Sequence, residues 1–285
     1  FNHAEHGGWY LAYDHGTPRH LSVQRVQLPP GAVMLQAMGL PPGTGADLKA
    51  NPHKVRVYAQ SLKRLYNFTL AGSVAEVRAA VRQPNVHHAP AALLSVENTA
   101  NRGGGSVISA AHCAELCAVA HHAGLHTHLD GARLWNAHMQ SGSALSELAA
   151  GSDVVNVCMS KGLGAPVGSL LAGPRALAER ARRVRKMLGG GMRQVGVLAA
   201  AAEYAFDHHI DRLADDHARA RQLWQALREA GHAVEAAPDT NILYMRVPDA
   251  PAFSQLLTAR GVGAIAIAHD RLRFVTHLDI SDAGL

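Results

Sequence analysis

From residue 73 onward, the sequence predicts an α/β protein with a mainly parallel sheet, followed by a smaller C-terminal α/β domain. Helical and strand patterns alternate along this part of the chain, as they do in consecutive β-α-β units. Three predicted strands lead directly into polar or ionisable residues, namely Glu97, Asp130 and Lys161. Because ligands of open α/β sheets bind at the carboxyl ends of the strands, we expect these three side chains to face one cleft.

The large domain is predicted to span residues 72–206. Its elements are indicated by apolar periodicity and by the glycine or proline residues at their ends. They are, in order, a helix at 73–82, a strand at 92–96, a helix at 109–122, strands at 125–129, 154–159 and 169–172, a helix from 174 and a helix at 192–208. Three consecutive glycines at 189–191 separate the last two helices.

A smaller domain is predicted for residues 207–285. Its elements are a helix at 212–230, a strand at 241–247, a helix at 252–259 and strands at 263–268 and 272–277. A helix start at 279–282 comes just before the last residue, so we expect this domain to be truncated. Residues 1–71 have weak periodicity and many turn residues, and we assign them only as an atypical N-terminal part of the large domain.

The composition predicts a compact protein of the cytoplasm. Of the 285 residues, 48% are hydrophobic and 17% are charged, and no stretch approaches the ~20 consecutive apolar residues that a membrane span requires. We see no basic leader or apolar signal core, and three cysteines make a disulfide framework an unfavourable interpretation. The basic run at 180–186 has helical spacing, which favours a solvated helix face over a nucleic-acid patch.

The sequence around Lys161 suggests covalent chemistry. An apolar run at 154–159 leads to Lys161 and then to a loop that contains Gly162, Gly164 and Gly168. Burial lowers the pKa of an amine, and a neutral amine can condense with an aldehyde to form a Schiff base. The alternative is a lysine that extends from the end of the strand into solvent.

Asp130 and Arg133 follow the preceding strand, and together with Lys161 they form a more specific combination than any one of them. A lysine that forms a Schiff base needs an electron sink, and pyridoxal phosphate is the common one, with a carboxylate at its ring nitrogen. Asp130 is placed to supply that carboxylate, since a negative charge favours the protonated ring. Alternatively, Asp130 is the N-cap of a helix that starts at Gly131.

Two histidine patterns leave a metal site open as an alternative. His126, His128 and Asp130 alternate along one strand and share a face, although histidines packed in a core satisfy the same pattern. A second group lacks helical spacing, which favours surface histidines, and it consists of His3, His6, Asp14, His15 and His20. Residues 41–47 are either a helix start that binds phosphate or a plain Pro-Gly turn.

Five strings carry a resemblance to a known family. They are ENTANRGGG from Glu97, HTHLDGARLWNA from His126, SKGLGAPVG from Ser160, RKMLGGGMRQ from Arg185 and RFVTHLDIS from Arg273. In these strings and in their order, residues from about 72 to 285 resemble the low-specificity L-threonine aldolases. The resemblance implies a pyridoxal-phosphate enzyme of the aspartate-aminotransferase fold, with a PLP-binding large domain and a smaller C-terminal domain.

The resemblance also implies roles for individual residues. Lys161 matches the Schiff-base lysine, and Asp130 matches the partner of the pyridine nitrogen. Arg133 and Arg273 match arginines that hold the substrate carboxylate, with Arg133 also near the cofactor, and Glu97 belongs to the substrate side. The remaining matches are basic residues near the cofactor phosphate or a neighbouring subunit's site and a histidine near the substrate hydroxyl, which are Lys186, Arg193 and His87.

The chain departs from the family at two places. Ala100 stands where the family usually has a histidine, which alters the loop after Glu97. Residues 1–71 do not resemble the family, whose corresponding part carries a phosphate-binding loop and a histidine stacked on the cofactor ring. Gly43 and Thr44 are the candidate for that loop in this sequence.

These observations lead us to expect a lyase that cleaves L-threonine, L-allo-threonine and related β-hydroxy-α-amino acids to glycine and an aldehyde. β-Elimination or racemisation with the same cofactor is the alternative within the enzyme class. Two alternatives lie outside it: a non-catalytic remnant that lacks the phosphate loop, and a metal-binding protein suggested by the 19 histidines. The resemblance further implies a homo-oligomer, either a dimer or a tetramer, whose sites are completed across subunits.

Overall fold

The computed structural model describes residues 73–81 and 91–285 and, N-terminal to them, the backbone of three short strands. His87 and the residues at 41–47 lie outside this part of the chain, as do the side chains of the N-terminal histidine group. The roles predicted for them stay predictions.

The chain divides into two compact units, residues 1–67 with 187–189 and residues 68–186 with 190–285. The first unit contains three strands, β1 (Asn2–His3), β2 (Gly8–Asp14) and β3 (Leu21–Val26). They form an antiparallel sheet in the order β1-β2-β3. The sequence did not predict these strands, because turn residues are frequent around them and the apolar residues of β2 do not alternate with polar ones.

The second unit contains two sheets, and the first of them, called the first sheet below, has four strands in the order β4-β5-β6-β7. Its strands are β4 (Leu93–Glu97), β5 (His126–Gly131), β6 (Val154–Cys158) and β7 (Ser169–Ala172). The first three are parallel, which confirms the predicted mainly parallel sheet, whereas β7 is antiparallel to β6. The loop at 159–168 explains this edge strand, because so short a link cannot make the crossover that a parallel neighbour requires.

Four helices accompany this sheet. They are α1 (Val74–Ala80), α2 (Ala110–His122), α3 (Leu134–Ser141) and the short α4 (Leu145–Leu148). Ser73 forms a capping box with Glu76, and the Ser109 hydroxyl accepts from the His112 N–H at 3.2 Å, so α1 and α2 each begin after a serine, a residue type that favours helix starts. Helix α2 ends before Gly124, whose φ of 76° suits glycine.

The two faces of the first sheet differ in chemistry. One face carries Leu94, Val96 and Leu129, which are buried against α1 and α2 residues such as Val77 and Leu116. Alternation along the strands places Ser95, Glu97, His128 and Asp130 on the opposite face, where they are half-buried. On this polar face, Glu97 and Asp130 lie near the carboxyl ends of their strands.

Two further helices follow β7, namely α5 (Arg175–Met187) and α6 (Gly196–His208). A second core cluster joins Ala205 of α6 to Trp135, Met159 and Leu163, and so fixes the start and middle of the loop after β6. Among the described residues, no helix is both long and apolar enough to cross a bilayer.

The C-terminal part forms a second, antiparallel sheet in the order β10-β11-β9-β8. Its elements are α7 (Leu213–Glu229), β8 (Ala233–Val234), β9 (Ile242–Arg246), α8 (Ala250–Thr258), β10 (Ile265–Ala268) and β11 (Arg271–Val275). Helix α8 starts at Ala250 because Asp249 caps it and Pro251 occupies its first turn. Where the sequence indicates a helix start at 279–282, a short 3-10 turn forms at Asp282–Gly284, with Ser281 at its N-cap position. The boundary near residue 207 stays a prediction.

Truncation of the core residue Leu129 tests the packing of the first sheet. Leu129 is 1% exposed, whereas Leu93 on the neighbouring strand is 57% exposed. We expect Leu129→Ala to lower the free energy of unfolding by about 2–5 kcal/mol. The matched control Leu93→Ala changes it by less than about 0.5 kcal/mol. Urea denaturation of both variants measures this, and equal losses would contradict the burial pattern.

Candidate active site

The parallel register brings the polar strand ends to one edge. Glu97 lies opposite Asp130, and Asp130 lies opposite Asn156 on the next strand. Lys161 belongs to the loop that leaves β6, and Arg133 lies at the start of α3, in the turn after β5. The strand ends thus gather two carboxylates and two cations.

The charges at these strand ends act on the Glu97 carboxyl. Burial raises the pKa of the Glu97 carboxyl, and the charge of Asp130 raises it further. The backbone N–H of Asn101 and the charges of Arg133 and Lys161 act in the opposite direction. The charges of Asp130, Arg133 and Lys161 therefore all act on Glu97.

The side chain of Lys161 is exposed, which agrees with the alternative of a lysine that extends into solvent and not with that of a buried amine. The loop that holds it is anchored instead by Met159, Leu163 and Ala165, which are buried and leave Lys161 on the surface side. Hydrogen bonds from Gly164 N to Lys161 O (2.8 Å) and from Ala165 N to Met159 O (3.1 Å) close the turn. The amine makes no hydrogen bond or ion pair with any described residue, so it is accessible for chemistry.

Asp130 is not the N-cap of a helix that starts at Gly131. Helix α3 begins at Leu134, with Arg133 at the cap position and no side-chain cap bond. Asp130 Oδ1 instead accepts from the Ala132 N–H and from Asn156 Nδ2, each at 3.1 Å. A Cβ at Gly131 would lie 2.7 Å from the Asn156 carbonyl oxygen, so only glycine fits between β5 and β6 here.

Two arginines approach the same edge from different elements. Burial lowers the pKa of the Arg133 guanidinium, the positive charge of Arg273 lowers it further, and Glu97 opposes both effects. Arg273 lies on β11, opposite Tyr244 on β9, and its Nη1 donates to Asn101 Oδ1 at 2.9 Å. Its Nε is buried and has no partner among the described residues. Two neighbouring guanidinium groups with a free donor are suited to a bound carboxylate.

The loop after β4 carries Asn101 to the second sheet. Buried Asn98 anchors the loop by accepting from Ile108 N (3.2 Å) and donating to Ile108 O (2.8 Å). From the second sheet, the Tyr244 hydroxyl donates to Asn101 O (2.7 Å) and Thr240 Oγ1 donates to Gly105 O (2.6 Å). These bonds place Arg273 beside the strand ends of the first sheet.

A buried polar network joins α3, α7 and the second sheet. Asn136 Nδ2 lies 3.0 Å from His217 Nε2 and 3.5 Å from Asn241 Oδ1, while Asn241 Nδ2 donates to Thr276 O at 2.9 Å. The Thr276 hydroxyl donates in turn to Asp216 O (2.6 Å). Burial lowers the pKa of His217 to about 4, and Arg221 adds to that effect. His217 is therefore neutral near pH 7 and accepts through Nε2.

The segment between α6 and α7 holds the backbone of the Lys161 loop. His209 Nδ1 donates to Leu163 O at 2.6 Å, and Arg212 Nη1 reaches Gly162 O at 3.4 Å. Arg212 also pairs with Asp216, a carboxylate whose pKa is raised by burial and lowered again by Arg212. The loop after β6 is thus tied to the network around His217.

Other predicted residues do not join this group. Lys186 and Arg193 are exposed, have no hydrogen bond or ion pair with a described residue, and are not among the strongest charges acting on Glu97 or Arg133. His126 pairs with Asp153 at 3.6 Å, whereas His128 lies between Ser95 and Asn156. Within the described residues, no three His, Cys, Asp or Glu side chains are grouped to hold a metal.

Sequence reasoning missed the residues that support the site. Asn98 and Asn101 stand inside the string that starts at Glu97, but nothing in their spacing announces contacts with the second sheet. Tyr244 and Asn156 lie in apolar strands, where a polar residue is a weak signal by itself. A search for polar residues inside predicted strands would have found both of them.

Sequence comparison shows that the chain is similar to one protein family. The family model described as Beta-eliminating lyase matches residues 56–250. The low specificity L-threonine aldolase of Escherichia coli (strain K12) is 43% identical over 203 residues, which cover 70% of this chain and 59% of that protein. The low-specificity L-threonine aldolase 1 of Arabidopsis thaliana is 37% identical over 218 residues, covering 73% and 61%. The chain thus spans about three fifths of the length of the curated relatives it matches.

Solved structures agree on the fold. A Leishmania major threonine aldolase superposes with a TM-score of 0.60 at 19% identity, covering 74% of this chain and 64% of that one. The serine palmitoyltransferase of Sphingomonas wittichii gives a TM-score of 0.57 at 22% identity, covering 74% and 56%. These likenesses confirm the fold expected from the five strings.

The buried His217 predicts a pH dependence of stability. Its pKa is about 4 in the folded chain and about 6.5 when unfolded, so the unfolded state binds the extra proton between these values. Stability contributed by His217 is therefore full above pH 6.5 and decreases by about 3 kcal/mol as the pH falls to 4. His217→Gln, which keeps an acceptor for Asn136, flattens this dependence in urea denaturation at pH 7 and pH 4.5, whereas His232→Gln at an exposed position leaves it unchanged. A wild-type slope retained in His217→Gln would show that other groups cause it.

Proposed function

The chain belongs to the beta-eliminating lyase family, and we propose that it cleaves L-threonine, L-allo-threonine and related β-hydroxy-α-amino acids between Cα and Cβ. The products are glycine and an aldehyde, and the cofactor is pyridoxal 5'-phosphate. The observation that carries the proposal is the gathering of Lys161, Asp130 and Arg133 around Glu97 at one edge of the sheet. The names of the relatives in Escherichia coli and Arabidopsis thaliana support the same reaction.

The residues at this edge fit the cofactor. Lys161 offers an accessible amine for an aldehyde carbon, and Asp130 has one oxygen fixed by two donors and the other free to accept from a ring N–H. When bound, pyridoxal phosphate withdraws electrons from the substrate Cα and stabilises the charge left after Cα–Cβ cleavage. Asp130 favours the protonated ring, since its carboxylate is an acceptor only. We assign Lys186 and Arg193 to the phosphate or to a neighbouring subunit's site.

The two arginines orient the substrate. Arg133 and Arg273 lie close enough for each to alter the electrostatics at the other, and a carboxylate between them relieves their repulsion. The free Nε of Arg273 supplies one donor for it. Glu97 balances the added positive charge. Only the glycine half of the substrate is bound by charged groups. One methyl more or less on the other half therefore changes the binding free energy by only about 1–3 kcal/mol.

Proton transfer completes the cleavage. As the Cα–Cβ bond breaks, the β-hydroxyl loses its proton to a base and becomes the aldehyde oxygen. His87, which the family resemblance places near that hydroxyl, or an ordered water is the candidate base.

We further propose that the protein works as a homo-oligomer, a dimer or a tetramer, in the cytoplasm. Apolar side chains on β7 and α6 are about half exposed or more in the single chain, among them Leu170, Leu171 and Val197. The three cysteines are free, in keeping with a reducing compartment. An amino acid is its small-molecule partner, and neither nucleic acid nor membrane belongs to this proposal.

Lys161→Ala tests the cofactor assignment. We expect wild-type protein incubated with pyridoxal phosphate and desalted to retain an absorption band of lysine-bound cofactor and to release glycine from L-threonine. Lys161→Ala and Lys161→Arg lose the band and at least about 10³-fold in kcat, because neither side chain offers a primary amine. Without cofactor, their melting temperatures stay within a degree or two of wild type, since the Lys161 side chain is exposed and makes no hydrogen bond or ion pair with a described residue.

Product analysis separates the alternatives. Pyruvate or a D-amino acid in place of glycine would identify β-elimination or racemisation. Wild-type protein without any retained cofactor would support the non-catalytic remnant.

Arg273→Leu tests the carboxylate site. Removing one guanidinium from a charge-assisted pair is expected to lower kcat/KM for L-threonine, mainly through KM, by a factor that corresponds to a loss of about 2–4 kcal/mol of transition-state stabilisation. The matched control Arg246→Leu removes an exposed arginine from the same sheet and leaves kcat/KM unchanged. Equal effects of the two substitutions would remove Arg273 from the site.

A further inference from the structure

Four polar side chains on three strands of the first sheet form one continuous hydrogen-bond chain. Ser95 Oγ on β4 lies 2.8 Å from His128 Nδ1 on β5, and His128 Nε2 lies 2.6 Å from Asn156 Oδ1 on β6. Asn156 Nδ2 then returns to β5 and donates to Asp130 Oδ1 at 3.1 Å. All four residues are half-buried on the polar face of the sheet.

The direction of every hydrogen bond in this chain follows from its last member. An ionised carboxylate only accepts, so Asn156 must present its Nδ2 to Asp130 and its Oδ1 to His128. His128 Nε2 therefore carries the proton, since Asn156 Oδ1 has none to give. In the neutral imidazole Nδ1 is then an acceptor, and it takes the hydroxyl proton of Ser95. Each donor points toward Asp130.

This one-way order has an electrostatic consequence. Aligned hydrogen bonds polarise one another, so each bond in the series strengthens the donation to Asp130 Oδ1. The Ala132 N–H adds a second donor to the same oxygen. The negative charge of Glu97 repels that of Asp130. The other charged groups named at this edge are Arg133 and Lys161, which act on Glu97. Asp130 Oδ1 thus accepts two hydrogen bonds, whereas the other carboxylate oxygen accepts none from a described residue.

We propose that His128 and Asn156 are positioning residues that fix the Asp130 carboxylate and orient its free oxygen toward the ring nitrogen of the cofactor. The proposal rests on the proposed function, because it assigns Asp130 to that nitrogen. His128 acts by fixing the amide of Asn156. Without a donor on Oδ1, the amide is free to rotate and to present oxygen to the carboxylate.

Cofactor affinity with two ligands tests the chain. The dissociation constants of pyridoxal 5'-phosphate and of its deaza analogue, in which carbon replaces the ring nitrogen, are measured for the full chain by equilibrium dialysis. We expect His128→Leu and Asn156→Leu to bind pyridoxal phosphate about tenfold more weakly than wild type. Both variants bind the deaza analogue as wild type does, because that ligand has no ring nitrogen to pair with Asp130.

Two further variants serve as controls. His128→Gln restores affinity for pyridoxal phosphate, since its amide can donate to Asn156 Oδ1 and accept from Ser95. His126→Leu changes a histidine of the same strand that lies outside the chain and contacts Asp153, and it leaves both affinities unchanged. Equal weakening of the two ligands in His128→Leu would reduce the chain to a structural role and overturn the proposal.

A second readout separates this proposal from the proposed function. In cofactor-free protein at pH 7, the carbon-13 carboxyl signal of Asp130 is recorded by NMR and assigned with Asp130→Asn. We expect its chemical shift to differ from that of wild type in Asn156→Leu and His128→Leu, because the hydrogen bond to Oδ1 is lost or misdirected, and to match wild type in His126→Leu. A chemical shift unchanged in all three variants overturns the inference. Wild-type protein that binds neither ligand refutes the proposed function, and the NMR comparison then decides whether His128 and Asn156 control the carboxylate.

Discussion

The parallel register of β4, β5 and β6 is the constraint on which the site depends. Parallel neighbours must be joined by crossovers, so every strand of this group ends at the same edge, and whatever follows each strand meets its neighbours there. Glu97 and Asp130 lie opposite each other for this reason, and the loop with Lys161 begins beside them. Two carboxylates at this spacing would repel, and the positive charges of Arg133 and Lys161 make the arrangement tolerable.

The second sheet contributes by contact with one loop. Tyr244 and Thr240 donate to backbone carbonyls of the segment after β4, and Arg273 donates to Asn101. The second sheet, which has its own core, thereby places Arg273 beside the strand ends of the first sheet. The cation-π contact of Arg271 over the Tyr244 ring, at 3.7 Å, adds to the fixation of that tyrosine. The site is therefore assembled from two sheets, and neither holds all of its charges.

Much of this arrangement could be predicted from the sequence because local signals agree. Strand and helix positions in residues 91–285 follow periodicity and caps such as Ser109, and the polar strand ends announced Glu97 and Asp130. The choice between a buried and an exposed Lys161 could not be made from the sequence, because it depends on which loop residues reach the core formed with Trp135. Nor could the partners of Asp130 be predicted, since Asn156 belongs to another strand and pairing across a sheet is not written in local sequence.

The buried network around Asn136 has a consequence for how the protein can vary. Asn136, His217, Asn241 and Thr276 come from four elements, and each satisfies a polar group of another. Changing one alone leaves a donor or acceptor buried without a partner, which costs about 1–3 kcal/mol. These positions should covary among homologues, and a chimera that joins residues 1–206 of one homologue to the rest of another would inherit mismatched pairs. Recombination within this protein is thus constrained by a buried network whose members come from both sides of such a join.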